Sequence, residues 1–95
     1  MKTNPEMEQQ LISILRQYGA TQVGIFGSYA RNEATPASDL DLLVNFSERK
    51  SLMTLARIRR ELTEALGLEV DLLTEAAISP YLIDSIKSQQ RIIYQ

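Results

Sequence analysis

The chain has 95 residues, 44% hydrophobic and 23% charged, with a net charge of −2, which bounds it to one domain over residues 1–95 with a modest core and argues against a clustered basic face for direct nucleic-acid binding. It contains no cysteine and no histidine, which removes disulfides, thiol nucleophiles, cysteine zinc sites, Ser-His-Asp triads and imidazole acid–base catalysis. Any chemistry must rest on carboxylates, hydroxyls, Lys/Arg, backbone amides or a metal on oxygen ligands; with no apolar run near the ~18 residues of a membrane span and no apolar signal core in MKTNPEMEQQ, a cytoplasmic location without membrane attachment is expected.

Asn4-Pro5 reads as a helix cap followed by proline at the first helical position. Met7, Leu11, Ile14, Leu15 and Tyr18 then recur at helical spacing until Gly19. Gln22 to Phe26 is a short run rich in strand formers. Ser28 to about Glu33 fits a short helix, followed by a polar loop over residues 34–38. Leu40, Leu42, Val44 and Phe46 alternate with Asp39, Asp41, Leu43 and Asn45, a strand pattern. Ser51 can cap a helix that carries Leu52, Leu55, Ile58, Leu62 and Leu66 on one face and ends at Gly67. Arg57, Arg59 and Arg60, the one basic cluster, read as its solvated face. Leu68 to Leu73 is a third strand, Ser79-Pro80 opens a last helix to about Ser88, and Arg91 to Tyr94 is a final short strand. Short strands alternating with helices imply an α/β fold with one sheet covered by helices. The long helix before residue 68 permits a parallel crossover, and the pattern leaves strand order open.

Strand side chains alternate faces, so Asp39 and Asp41 point the same way, with Cα atoms about 6.6 Å apart at ~3.3 Å rise per residue. Such a pair suits one or two cations; without one it repels itself. Taken alone, the pair also fits a solvated strand start. In LEVDLL, Glu69 and Asp71 share the face opposite Leu68, Val70 and Leu72. If this strand lies beside 39–46, Asp71 can join Asp39 and Asp41, with Glu69 as a competitor at the strand's solvated start. Three carboxylates with no histidine or cysteine suit Mg²⁺ or Mn²⁺. Gly27 after a strand permits a tight turn and close ligand approach. Ser28 can cap the next helix, whose N-terminus favours phosphate, although for Gly27-Ser28 alone a plain turn with a serine cap is the simpler reading. Ten residues, Tyr29 to Ser38, separate this turn from Asp39, so turn and carboxylates can face one cleft.

Gly27-Ser28, those ten residues and Asp39-Leu40-Asp41 resemble the GS-x10-DxD signature of the nucleotidyltransferase superfamily that includes DNA polymerase β. GSYARNEATPASDLDLLV resembles most closely the minimal nucleotidyltransferases, small antitoxins encoded beside HEPN-domain toxins. VDLLT at 70–74 supports the likeness, and Arg31 occupies the arginine of the GSxAR pattern. The resemblance implies a mixed sheet and a metal-dependent transfer, from ATP, of AMP onto a tyrosine of the partner toxin. It implies that Gly27 and Ser28 hold the triphosphate, that Asp39 and Asp41 ligate two Mg²⁺ ions, and that Asp71 ligates the ion nearest the nucleophile. Arg31 is either a phosphate contact or a solvent-exposed side chain. Two other functions stay in view: an antitoxin that masks its partner without chemistry, and a nucleotidyltransferase acting on a small molecule.

Overall fold

Pro5 pre-sets the helical φ, and the apolar spacing that follows forms α1, Pro5–Gln17. The computed structural model describes residues 5–27, 30 and 39–95. The expected Asn4 cap, the short helix over 28–33 and the polar loop lie outside the described residues, apart from Ala30. The other elements are β1 (Ala20–Phe26), β2 (Leu40–Phe46), α2 (Leu52–Leu66), β3 (Val70–Thr74), a short 3-10 turn (Glu75–Ala77), α3 (Pro80–Gln89) and β4 (Arg91–Tyr94). The caps are local chemistry. Ser51 Oγ accepts from the Thr54 N–H at 3.1 Å, Gly67 closes α2 in the left-handed region, and Ser79 Oγ accepts from the Tyr81 N–H at 3.3 Å.

The four strands form one mixed sheet in the order β3-β2-β1-β4. β2 and β3 are parallel, as the α2 crossover allows, while β1 pairs antiparallel with β2 and β4. β1 starts at Ala20 rather than Gln22. A register irregularity between Ala20 and Gln22 lets the exposed Thr21 bond the Asn45 carbonyl at 3.2 Å while Ala20 stays buried. β3 starts at Val70 rather than Leu68, because the chain is still leaving the Gly67 turn.

Alternation sorts β2 in part: Leu43, expected on the face of the aspartates, is buried as well, and Phe46, expected on the apolar face, is only half-buried. Leu40, Leu42 and Val44 are fully buried, beneath α1 and α2, which pack on each other and on β1 and β3 respectively. Leu11, Leu15, Val23, Ile25, Ile58, Leu62 and Val70 complete the fully buried core. Each such side chain contributes about 1.5–3 kcal/mol of burial. Leu52, expected on the apolar face of α2, is the helix's first residue and is 85% exposed. α3 buries no residue fully; Lys87 ties it to the 3-10 turn through Glu75 at 3.0 Å.

Candidate active site

Antiparallel pairing puts the end of β1 beside the start of β2, and parallel pairing puts the start of β3 there too. Phe26 pairs with Asp41, and Asp41 pairs with Asp71. The Leu40 N–H donates to the Glu69 carbonyl at 2.9 Å, which locks that register one residue earlier. Gly27, Asp39, Asp41 and Asp71 therefore gather at one end of the sheet. Asp41 and Asp71 lie on the face opposite the helices, since Leu40, Leu42 and Val70 point into the core.

Gly27 has φ of +74°, a conformation that costs a residue with a Cβ about 1–2 kcal/mol. A Cβ there would also displace the Asp41 side chain. It would collide with Asp41 Oδ2, and Asp41 Cγ would lie 3.1 Å away. The turn expected for phosphate approach is thus also the surface on which the half-buried Asp41 carboxylate rests. Asp39 is exposed immediately before β2. Ser28 and Arg31 lie outside the described residues.

Asp71 has a partner that the sequence did not reveal. Arg59 Nη2 lies 3.8 Å from Asp71 Oδ1 and 4.0 Å from Glu69 Oε2, and Arg59 Nε donates to the Val70 carbonyl at 2.8 Å. Helical spacing assigned Arg59 to a solvated face. It is half exposed, but it wraps the sheet edge, and no local pattern encodes the azimuth of a helix over a strand twelve positions later. Among the described residues, no three Asp, Glu, His or Cys side chains are grouped to hold a metal ion. Carboxylate oxygens are the donor type a hard cation takes, although the side chains as placed do not converge on one point. Asp39 and Asp41 stand two positions apart, and Asp71 neighbours Asp41. A separate groove of about 670 Å³ lies at the other end of the sheet, lined by Phe46, Leu52, Leu55 and Thr74 among others; it holds none of these carboxylates.

The parallel β2–β3 pair presents aspartates beside a glycine turn, as the resemblance to nucleotidyltransferases implied. The chain belongs to that family: residues 8–93 match the nucleotidyltransferase domain. A Methanocaldococcus jannaschii protein provisionally classed as a protein adenylyltransferase is 49% identical over 84 residues, covering 88% of this chain and 90% of its own. The protein adenylyltransferase MntA of Thermococcus cleftensis is 37% identical, covering 82% of this chain and 83% of its own. The structure of a protein described as a minimal nucleotidyltransferase superposes with a TM-score of 0.81 at 36% identity, covering 90% of this chain and 88% of that one. A toxin–antitoxin structure with AMP-PNP superposes with a TM-score of 0.84 at 24% identity, covering 92% and 72%, a likeness of fold. The chain is a minimal nucleotidyltransferase, with the mixed sheet that the resemblance implied.

Proposed function

We propose that this nucleotidyltransferase transfers AMP from ATP to a tyrosine hydroxyl of a HEPN-type toxin and so acts as its antitoxin, using Mg²⁺ (or Mn²⁺) held by Asp39, Asp41 and Asp71. The observation that carries the reading is the register of Asp41 with Asp71 beside Gly27. The kinship with protein adenylyltransferases supports AMP as the group and a protein as the acceptor. A related complex described as a tri-AMPylated HEPN toxin with its MNT antitoxin supports the partner.

In this reading Gly27 opens the backbone to the triphosphate, and Ser28 and Arg31 bind its oxygens. The acceptor oxygen attacks the α-phosphorus, the bond to the β-phosphate oxygen breaks, and pyrophosphate leaves. Asp71 accepts the hydroxyl proton. A phenol with an ordinary pKa near 10 is a weak nucleophile at neutral pH. Bound divalent ions supply charge neutralisation at the phosphates and a lowered acceptor pKa. Transfer of this kind needs mainly position and charge, so the lack of histidine is no obstacle. The net charge of −2 fits a protein acceptor better than a nucleic acid. ATP as donor and a chain without cysteine fit the cytoplasm.

Intact-mass spectrometry of the partner after incubation with ATP and Mg²⁺ tests this. The partner's mass should rise in steps of one AMP, and Asp39→Asn or Asp41→Asn should stop the rise. A partner inhibited equally by those variants, with no mass change, means masking without chemistry. Labelled ATP consumed without the partner points to a small-molecule acceptor.

A further inference from the structure

Arg59 follows the fully buried Ile58 on α2, so its backbone is held by the core. β3 is an edge strand. Glu69 turns its carbonyl inward to Leu40, and Val70 presents its own to Arg59 Nε at 2.8 Å. That bond pins the guanidinium at the one edge residue between Glu69 and Asp71, whose side chains share a face. Arg59 Nη2 then reaches Asp71 Oδ1 at 3.8 Å and Glu69 Oε2 at 4.0 Å. Covering an edge carbonyl explains the Nε bond. It does not explain why the remaining charge sits against the carboxylate in register with Asp41.

We propose that Arg59 is a positioning residue that parks Asp71 at the outer edge of the sheet and yields it when a divalent cation binds at Asp39 and Asp41. This rests on the reading of those aspartates as cation ligands. The guanidinium supplies the positive charge at Asp71. A bound ion must then take Asp71 from Arg59, so the pair opposes cation binding. Both side chains are about half exposed, and an exposed pair opposes binding by about two- to five-fold at most.

Mn²⁺ alone, titrated into nucleotide-free protein and followed by the electron spin resonance of the free ion, tests the proposal. Arg59→Gln should bind Mn²⁺ about two- to five-fold more tightly than wild type, the range of an exposed pair. Arg60→Gln removes the same charge from a neighbouring position on another side of the helix and should tighten binding less. Arg59→Lys keeps the charge, loses the planar fork and should fall between wild type and Arg59→Gln. Arg59→Gln no tighter than Arg60→Gln overturns the proposal. Circular dichroism checks the fold; if Arg59→Gln is unfolded, Arg59→Lys binding no tighter than wild type overturns it instead. Asp41→Asn binding Mn²⁺ as wild type does would defeat the cation-ligand reading, a separate failure.

Discussion

Gly27 and Gly67 hold nearly the same backbone conformation, φ 74° and 72°, in different surroundings. A Cβ at Gly67 meets nothing within 4 Å, whereas at Gly27 it collides with the Asp41 carboxylate. Alanine at either position incurs the left-handed strain of about 1–2 kcal/mol; only at Gly27 does it also move Asp41. Gly67→Ala should therefore melt earlier than wild type while keeping its transfer activity. Gly27→Ala should lose stability and activity together, and wild-type transfer by that variant would mean that Asp41 need not rest on the glycine. Asp41→Asn supplies the complement. It removes the carboxylate charge and keeps the side chain's shape, so the variant should stay folded while labelled-ATP transfer disappears. An unfolded Asp41→Asn variant would make the residue structural.

Between elements, Tyr18 links the end of α1 to α2. Its phenol hydrogen-bonds to Glu61, which raises its pKa above the ordinary 10.0; burial and the Glu61 charge add to the rise and Arg57 opposes it. A raised folded-state pKa means that the bond stabilises the fold below pH 10.0 and that this is lost as pH climbs through the higher folded value. Phenolate absorbance during alkaline titration, compared with a Tyr18→Phe variant, should show Tyr18 ionising late, and Glu61→Gln should return it toward 10.0. An unchanged late midpoint in that variant would remove Glu61 as the cause. Tyr18 was legible only as an apolar position of α1, because its partner is an inter-helix contact. The contrast is general in this chain. The caps at Ser51, Gly67 and Ser79 and, in part, the faces of β2 and β3 were legible, since each is decided within a few residues. Strand order was not, since alternation tells which way Asp41 and Asp71 point but not that their strands are neighbours. Arg59 escaped for the same reason, and Leu52 was misplaced because helical periodicity does not say where along a helix burial begins.

At the scale of the whole molecule, one small core carries the stability. Among the described residues ten side chains are fully buried, and a domain of this size holds a margin of only about 5–15 kcal/mol. A ligand that binds only the folded state is then a large fraction of that margin. At 100-fold over its dissociation constant it adds about 2.7 kcal/mol. For domains of 60–100 residues, 1 kcal/mol moves the melting temperature by about 4–8 °C, so ATP with Mg²⁺ should raise that of the wild type by about 10–20 °C at such excess. Asp41→Asn should lose most of the rise, because the variant lacks the carboxylate charge proposed to hold the metal–nucleotide complex. Differential scanning calorimetry with ATP and Mg²⁺, ATP with a chelator, and Mg²⁺ alone separates the contributions. If ATP with a chelator stabilises the wild type as much as ATP with Mg²⁺, the nucleotide does not depend on the metal. The carboxylates would then need another role than holding it.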